Sequence, residues 1–281
     1  MHPDHEDDHE KPAILYPKKR FGQHFLVDKN VIRKIVAIAS IKEGDCVLEI
    51  GPGKGALTEG LIEAGAKVTA IEVDRDLAAL LKRKFPENLE VITGDALKAS
   101  FLELAEGRGC RFKLVSNLPY NISGPILAKF LSERKAFSLL VLMFQKEVAE
   151  RLVAPPGTKE YGVLSVFTQA FTEIKKELDV SRNLFSPRPK VDSAVVSLKV
   201  LDKPRVEIRD EDFFKKVVRA SFGTRRKMLS NALKALGFEK DVVERALEEA
   251  GIDPKRRGET LDLKEFGRLT DAFLEIKGRE A

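Results

Sequence analysis

CVLEIGPGKG, residues 46–55, organises the rest of the chain. An apolar run at 46–50 stops at glycines spaced two apart, Gly51, Gly53 and Gly55. An apolar-periodic stretch follows, and Gly65 is placed to end it, so the order predicts a strand, a glycine turn and a helix. Glycine allows positive φ and a close backbone approach to a ligand, and the helix N-terminus offers free N–H groups. A nucleotide-like cofactor is the natural occupant, and a plain strand-to-helix turn without a ligand is the alternative.

Two carboxylates follow this turn at the ends of predicted strands. Residues 67–73 read as a second buried strand, and Glu72 lies about twenty residues after Gly51, where a carboxylate can accept both ribose hydroxyls. Residues 89–93 are a third predicted strand, and Asp95 follows them. Asp95 is therefore placed in the ligand crevice of an open sheet, where it could accept from an adenine amino group. A helix N-cap is the alternative for Asp95.

Further apolar runs complete an α/β pattern. Residues 112–116, 138–144, 163–171 and 194–200 read as additional strands, which brings the predicted sheet to seven. Alternating strands and helices imply a mostly parallel sheet covered by helices. We expect a mobile loop within 145–161, where the polar stretch APPGTKEYG lies. We also expect a rigid connector over 185–191 that begins with an exposed Phe185.

The composition changes after about Asp202, where strand-like runs end and amphipathic helices begin. The predicted apolar face carries Phe213, Val217, Val218 and Phe222, and the apolar seam continues through Leu229, Leu233 and Leu236. The opposite face carries Lys215, Lys216 and Arg219, followed by the cations 225–227. This pattern predicts a small all-helical domain over 202–281. Its basic strip is either a nucleic-acid contact or ordinary solvated surface.

Two N-terminal stretches precede the first predicted strand. Residues 1–17 are predicted to be a disordered acidic tail that carries His2, His5 and His9, and a metal-binding tail is the alternative. In residues 18–26, KKRFGQHFL, three cations precede two phenylalanines. This stretch is either a basic arm that packs the two rings, or its cations are ordinary solvated surface. Asp28 is placed to cap the helix that follows. The cofactor domain is predicted to span 18–201.

Bulk properties narrow the class of protein. The formal net charge of +5 fits a polyanionic partner. Cys46 and Cys110 form no CxxC pair and suggest no disulfide framework, which predicts a reducing cytoplasm. No apolar stretch has membrane-spanning length, and the acidic N-terminus fits neither a secretory signal nor an arginine-rich transit peptide. We expect a cytoplasmic protein without membrane contact, and nothing in the sequence demands more than a monomer.

The stretch after the predicted fourth strand carries the most chemistry. An exocyclic aromatic amine is a poor nucleophile, because its lone pair is delocalised into the ring. Acceptors around its two N–H bonds would hold the lone pair toward an electrophile, and the Asn117 side chain and the Leu118 carbonyl can supply them. Pro119 stiffens the turn, and Tyr120 offers a flat face for an unstacked base. A plain turn with a buried tyrosine is the alternative.

Six motifs occur in one order: FGQHFL (21–26), EIGPGKGALT (49–58), IEVD (71–74), GDA (94–96), NLPYNIS (117–123) and FSPRPKVDSAVV (185–196). Together, over about residues 18–236, they resemble the S-adenosylmethionine-dependent ribosomal RNA adenine dimethyltransferases. NLPY and FGTRRKMLSNAL (222–233) resemble the small-subunit branch, the kasugamycin-sensitivity enzymes, more than the antibiotic-resistance methylases of large-subunit RNA.

This resemblance implies a seven-stranded Rossmann-like methyltransferase sheet with a small C-terminal helical domain. It implies dimethylation of two adjacent adenosines in the 3′-terminal hairpin of small-subunit rRNA, late in subunit assembly, without a metal. The implied cofactor contacts are Gln23, His24, Leu26, Glu49, Gly51, Gly53, Glu72, Asp95, Ala96 and Asn117. The implied catalytic residues are Asn117, Leu118, Tyr120 and Phe185, with Tyr120 and Phe185 stacking on the flipped adenine. His24 departs from the family, which often has Asn there; a backbone contact would survive that change.

Two other classes of function fit parts of the sequence. Gly51, Gly53 and Ala56 satisfy a loose fingerprint of nicotinamide-dependent oxidoreductases. That function leaves NLPY unexplained and lacks an acid for hydride transfer, because His24 is the single histidine outside the tail. A binding protein, either an assembly factor or a transcription factor that kept the fold, would suit the basic helical region. The presence of all four expected site residues argues against a protein that has lost catalysis: Asn117, Tyr120, Glu72 and Asp95.

Overall fold

The computed structural model describes residues 18, 22–224 and 227–280. The tail with His2, His5 and His9 lies outside the described residues, as do parts of the predicted basic arm and of the basic strip. A seven-stranded sheet and a separate two-stranded pairing occupy the described part of the chain. The strands are β1 (Phe25–Leu26), β2 (Cys46–Ile50), β3 (Lys67–Glu72), β4 (Leu89–Thr93), β5 (Phe112–Asn117), β6 (Phe137–Gln145), β7 (Thr172–Val180), β8 (Phe185–Ser186) and β9 (Ser193–Val200).

Helices cover the sheet and form the C-terminal part of the chain. They are α1 (Lys29–Ala39), α2 (Ala56–Glu63), α3 (Arg75–Lys84), α4 (Phe101–Arg108), α5 (Ser123–Ser132), α6 (Lys146–Val153), α7 (Val163–Phe171), α8 (Glu211–Gly223), α9 (Leu229–Ala232), α10 (Lys240–Glu249) and α11 (Leu263–Glu280). The predicted cap is confirmed, because the Asp28 carboxylate accepts from the Val31 N–H at 2.8 Å. In the part of the chain that the structure describes, we find no helix with the length and apolar character needed to cross a membrane.

The seven-stranded sheet has the order β4-β3-β2-β5-β6-β9-β7. Its pairings are parallel except those of β9, which runs antiparallel to β6 and β7, so the expected mostly parallel sheet is confirmed. The predicted fourth strand is β5, because the short β1 precedes the sheet. The strand order reverses between β2 and β5, which opens a crevice at the carboxyl edge beside these strands.

The prediction of a strand over residues 163–171 is wrong. They form helix α7, and the strand follows at β7. The Gly162 N–H donates to the Ser165 hydroxyl oxygen at 3.0 Å and so starts the helix. Six of its nine residues are buried, including the polar Ser165 and Thr168. A short run of nine mostly apolar residues cannot be told from a buried strand by its sequence pattern alone.

Helix α6 follows β6 directly and occupies the first part of 145–161. The polar stretch after it contains no helix or strand, as predicted for a loop. Tyr161 at its far end is fully buried, and its hydroxyl donates to the Leu261 carbonyl at 3.0 Å. The Gly157 N–H donates to the Glu259 carbonyl at 2.8 Å. The polar stretch is thus bonded to the C-terminal helical part of the chain.

Cys46 and Cys110 form a disulfide, so the prediction that they do not pair is wrong. Cys46 begins β2, and Cys110 lies just before β5. These neighbouring parallel strands place Val47 opposite Lys113, which brings the two cysteines to the amino edge of the sheet with a Cα–Cα distance of 6.6 Å. A separation of 64 residues hides this proximity in the sequence. The cysteines therefore no longer support a reducing compartment.

The C-terminal helices share a core with the sheet-covering helix α7. The Phe214 ring on α8 lies 6.2 Å from the Phe167 ring, centroid to centroid. The buried face of α8 comprises Phe214, Val217, Val218 and Ser221, whereas the predicted face members Phe213 and Phe222 are partly buried beside it. The described residues after Val200 contain helices and turns and no strand. The domain boundary at 201–202 stays a prediction.

Candidate active site

A cavity of about 530 Å³ lies at the carboxyl edge of the sheet, where β2, β3, β4 and β5 end. Every predicted site residue except Phe185 lines it. These residues are Gln23, His24, Leu26, Glu49, Gly51, Gly53, Glu72, Asp95, Ala96, Asn117, Leu118 and Tyr120. Separate segments of the chain therefore converge on one space.

The glycine turn forms one wall of this cavity. Gly51, Gly53 and Gly55 have φ values of 65°, 60° and 80°, a region that favours glycine. A Cβ on Gly51 would lie 3.3 Å from the Pro119 ring, and one on Gly53 would lie 2.8 Å from the Phe25 ring. The turn therefore needs glycine for its backbone angles and also for its contacts with two other cavity segments.

Glu72 closes the end of β3 with its carboxylate fixed from both sides. Oε2 accepts from the Gly53 N–H at 3.2 Å, and Oε1 accepts from the Asp74 N–H at 2.9 Å. The side chain is buried, and burial raises the pKa of Glu72 above its ordinary value, although these N–H groups oppose the rise. Each oxygen retains a lone pair with which it can accept from a ligand hydroxyl.

Glu49 brings a second buried carboxyl to the base of the cavity. It lies one strand away from Glu72, and the Thr58 hydroxyl donates to its Oε2 at 2.7 Å. Burial raises the pKa of Glu49 to about 8, and the nearby charge of Glu72 adds to the rise. Glu49 is therefore largely neutral at pH 7, whereas an ordinary glutamate would be ionised.

Asp95 lies in a turn and not at a helix start. Its Oδ1 accepts from the Leu97 N–H at 2.9 Å. The next helix, α4, begins at Phe101 and is capped by Ser100, so the N-cap alternative for Asp95 is wrong. The local bond fixes the carboxylate beside the cavity, and the buried Ala96 follows it in the cavity wall.

A short segment, residues 22–27, crosses the cavity opposite the sheet; we call it the strap. It contains β1, which pairs antiparallel with β8, and the Val27 N–H donates to the Leu184 carbonyl at 3.0 Å. The Asn117 amide Nδ2 donates to the His24 carbonyl at 3.1 Å. The His24 ring donates from Nδ1 to the Pro187 carbonyl at 2.8 Å, because a carbonyl can only accept. The strap is thus joined to β5 and to the connector after β8.

Asn117 and Tyr120 present complementary groups at this junction. Because Nδ2 of Asn117 donates to a carbonyl, its Oδ1 is left as an acceptor in the cavity. The Tyr120 hydroxyl shares a 2.6 Å hydrogen bond with the Ser193 hydroxyl, and its ring centroid lies 5.5 Å from that of His24. Burial raises the pKa of Tyr120, so the phenol remains neutral at physiological pH.

The prediction that Phe185 is an exposed ring is wrong. Phe185 is 5% exposed, lies opposite Leu26 in the β1–β8 pairing, and does not line the cavity. Both side chains belong to the apolar cluster that also contains Val195. Pairing with the strap turns the Phe185 ring inward, and the sequence shows no such partner for it.

Several lining residues were not predicted from the sequence. Val73, Leu97 and Ile122 add apolar surface beside the carboxylates, and Val73 is 45% exposed. Position was the available signal, because Val73 directly follows the strand-end Glu72. Lys54 lies with its Nζ 5.3 Å from the Phe25 ring centroid. Among the residues that the structure describes, no group of three or more His, Cys, Asp or Glu side chains is placed to hold a metal ion.

This arrangement suits two ligands in one cavity: a flat ligand that carries hydroxyl groups, and a second ligand that carries an amine. The buried acceptors of Glu72, the turn at Asp95 and the apolar Val73 could hold an adenosine-like group. The glycine turn leaves room for a chain close to the backbone. Asn117 and Tyr120 line the same cavity next to His24 of the strap, where an aromatic amine could enter.

The comparisons with known proteins agree with this geometry. Residues 15–273 match the family model described as ribosomal RNA adenine dimethylase. A protein of Moorella thermoacetica named ribosomal RNA small subunit methyltransferase A is 49% identical, with 91% of this chain and 92% of the relative covered. A protein of the same name from Syntrophotalea carbinolica is 50% identical, with 90% and 95% covered.

Two solved structures share the fold over most of the chain. A dimethyladenosine transferase from Plasmodium falciparum has a TM-score of 0.75 and 30% identity, with 92% of this chain and 98% of that chain covered. The 23S rRNA methyltransferase ErmE has a TM-score of 0.67 and 29% identity, with 89% and 99% covered. Both coverages extend beyond the seven-stranded sheet into the C-terminal helices.

Proposed function

We propose that this chain, which belongs to the ribosomal RNA adenine dimethylase family and is a methyltransferase, dimethylates two adjacent adenosines in the 3′-terminal hairpin of small-subunit rRNA. The proposed methyl donor is S-adenosylmethionine, and the product is S-adenosylhomocysteine. The observation that carries the proposal is the Asn117 amide, which is fixed inside the cavity by the His24 carbonyl. Support for the small-subunit branch comes from relatives of that name at about half identity over most of the chain.

The residues at the cavity fit this donor. A Cβ on Gly53 would displace the Phe25 ring, so glycine at this position lets the strap lie against the glycine turn beside the cavity. Glu72 would accept the ribose hydroxyls, Asp95 would accept the adenine amine, and Gly51 would approach the methionine part. Gln23, His24, Leu26, Glu49 and Ala96 would complete the contacts. The donor supplies an electrophilic methyl group on a sulfonium, whose positive charge disappears as the methyl leaves.

Asn117 and Leu118 would position the target amine. Asn117 Oδ1 and the Leu118 backbone carbonyl would accept its two N–H bonds and hold the nitrogen lone pair toward the methyl group. The methylated amine is acidic and loses its proton to water, so no general base is required. Proximity and fixed dipoles then account for most of the rate. The second methylation needs space for a monomethylated amine in the same position.

Tyr120 would supply the flat face for the flipped adenine, with the His24 ring beside it. Because Phe185 is buried, we assign it a supporting role: it pairs with the strap opposite Leu26 and packs in the same apolar cluster. The exposed Lys216 on α8 would contact rRNA phosphates. We further propose that the enzyme acts as a monomer in the cytoplasm on immature small subunits, because the cavity is complete within one chain and the substrate is ribosomal.

The test is methyl transfer from labelled S-adenosylmethionine to undermethylated small ribosomal subunits, with large-subunit RNA assayed alongside and the modified bases mapped. We expect two dimethylated adenosines in the small-subunit 3′ hairpin. Label in large-subunit RNA would move the protein to the other branch. Cofactor binding without label in either substrate would favour an assembly factor.

Asn117→Ala tests the amine-positioning role directly. We expect it to lower the single-turnover transfer rate at least about 100-fold while S-adenosylhomocysteine affinity falls only modestly, because the amide acts mainly on the amine. Asn30→Ala is the matched control: Asn30 is exposed on α1, away from the cavity. Wild-type turnover in Asn117→Ala would refute the role.

A further inference from the structure

Lys18 forms two ion pairs next to the cofactor cavity. Its Nζ lies 2.8 Å from Asp74 Oδ1 and 2.7 Å from Asp76 Oδ2. Asp74 is buried, at 3% exposure, whereas Asp76 is 61% exposed. A buried carboxylate needs a partner because it has lost its water. The pairing with Lys18 therefore satisfies Asp74, and the cation holds the pKa of that carboxyl below its ordinary value although burial opposes this.

Gln23 joins this ion pair to the strap. The Lys18 backbone N–H donates to Gln23 Oε1 at 2.7 Å, and Gln23 Nε2 approaches Asp74 Oδ2 at 3.4 Å. The Asp74 N–H in turn donates to Glu72 Oε1 at 2.9 Å. A continuous network thus runs from Lys18 through Asp74 to the carboxylate proposed to bind the ribose.

The two ends of the strap are held differently. Its C-terminal end pairs with β8 through backbone hydrogen bonds and continues into α1. Its N-terminal end is held to α3 and the residue that caps it through the side chains of Lys18 and Gln23. The residues between these ends line the cavity from Gly22 to Val27. A ligand beneath them leaves more readily if the N-terminal end detaches.

We propose that Lys18 is a clasp that holds the strap closed over the cofactor cavity and so sets how fast the methyl donor and its product exchange. The inference rests on the proposed function for the identity of that ligand. Lys18 is a positioning residue, because its contacts are with Asp74 and Asp76 and it does not line the cavity. The clasp needs a cation at this position and not merely an aliphatic stem.

The expected effect of Lys18 on cofactor affinity follows from treating the strap as either open or closed. Apparent affinity equals intrinsic affinity multiplied by the closed fraction. If removal of the ion pairs lowers the closed fraction from near one to roughly 0.1–0.3, the cofactor Kd rises about three- to tenfold. S-adenosylmethionine and S-adenosylhomocysteine should be affected equally, because the strap covers both. The product dissociation rate should rise by a similar factor.

Lys18→Met removes the cation and keeps an unbranched side chain, and Lys18→Arg restores a cation that can reach two carboxylates. Lys82→Met, on the exposed face of α3, is the matched control for the change in net charge. We leave Asp74 intact, because it also caps α3 by accepting from the Asp76 N–H at 3.1 Å. The variants therefore change the clasp without changing the helix.

Two measurements separate the clasp from the proposed function. Hydrogen exchange of the ligand-free protein reports the strap directly, and we expect peptides covering 22–27 to exchange at least about threefold faster in Lys18→Met than in wild type. Calorimetry and displacement kinetics with S-adenosylhomocysteine then report exchange of the ligand. Lys18→Arg and Lys82→Met should both remain close to wild type in each measurement.

Unchanged strap exchange in Lys18→Met would refute the clasp, whatever ligand the cavity takes. Faster strap exchange with unchanged Kd and dissociation rate would refute its control over the cofactor. A protein that binds no S-adenosylhomocysteine but shows faster strap exchange in Lys18→Met would refute the proposed function and leave the clasp standing.

Discussion

Substitution of Glu49 by glutamine should make the stability of the protein less dependent on pH. Glu49 is buried below the glycine turn, and its pKa is raised to about 8 by burial. In the unfolded chain the same carboxyl ionises at its ordinary value of 4.5. Between these two values the unfolded chain releases a proton that the folded protein keeps. The stability contributed by Glu49 is therefore fully present below pH 4.5 and is lost as the pH rises to about 8.

The magnitude follows from proton linkage. One pH unit within this window changes the free energy of unfolding by about 1.4 kcal/mol for one proton. From pH 6 to pH 8 wild type should therefore lose about 2 kcal/mol through Glu49, with the loss flattening as the pH reaches the folded pKa. In Glu49→Gln the amide cannot ionise and can still accept from the Thr58 hydroxyl, so the variant should lack this component. Glu72 also has a raised pKa, so some dependence on pH remains.

Urea denaturation of the ligand-free protein at pH 6, 7 and 8 measures the effect. The difference in unfolding free energy between pH 6 and pH 8 should be about 2 kcal/mol smaller in Glu49→Gln than in wild type. Glu59→Gln is the control, because this half-exposed carboxylate pairs with Lys84 and its pKa is lowered. The stability that the Glu59 carboxylate contributes is present above the ordinary pKa of a glutamate and is lost in acid. Glu59→Gln should therefore leave the change in unfolding free energy between pH 6 and pH 8 the same as in wild type. Equal pH dependence in wild type and Glu49→Gln would refute the assignment of a buried neutral carboxyl.

Three further perturbations have defined outcomes. Tyr120→Ala should lower single-turnover methyl transfer at least about tenfold while Tyr120→Phe loses less, because stacking needs the ring; equal losses would assign the role to the hydroxyl. Gly53→Ala should raise the S-adenosylhomocysteine Kd at least about tenfold in calorimetry, whereas Gly124→Ala, whose Cβ would meet nothing within 4 Å, should not; equal affinities would contradict the close approach. Reduction of the Cys46–Cys110 bridge, which spans 64 residues, should remove about 4 kcal/mol of stability in thermal unfolding, and two titratable thiols before reduction would contradict the pairing.

The glycine turn could be predicted because its chemistry is local. Positive φ at Gly51, Gly53 and Gly55 follows from a short apolar strand that must turn directly into a helix. Glu72 and Asp95 could be placed because the carboxyl ends of parallel strands meet at one edge of the sheet. In each case the sequence spacing and one rule of sheet topology suffice.

Residues 163–171 could not be assigned correctly by the same reasoning. This helix is short and mostly apolar, and a run of nine such residues fits a buried strand as well as a buried helix. Helix α7 begins where the Gly162 N–H donates to the Ser165 hydroxyl, and an isolated glycine in the sequence does not predict that hydrogen bond. The disulfide between Cys46 and Cys110 could not be predicted either, because the distance between the two cysteines depends on which strands are neighbours in the sheet.

The strap shows how far a motif can be interpreted before its partner is known. FGQHFL indicates a contact with the cofactor, and its His24 and Leu26 do line the cavity. Nothing in the sequence indicates that Phe185 pairs with this segment, because β2 to β7 all lie between the two partners along the chain. That pairing buries the Phe185 ring. In the connector after it, the Pro187 carbonyl accepts a hydrogen bond from the His24 ring. The two aromatic residues that were predicted to stack together on the adenine are therefore divided in the structure: the Tyr120 ring lies at the cavity beside His24, and Phe185 pairs with the strap opposite Leu26.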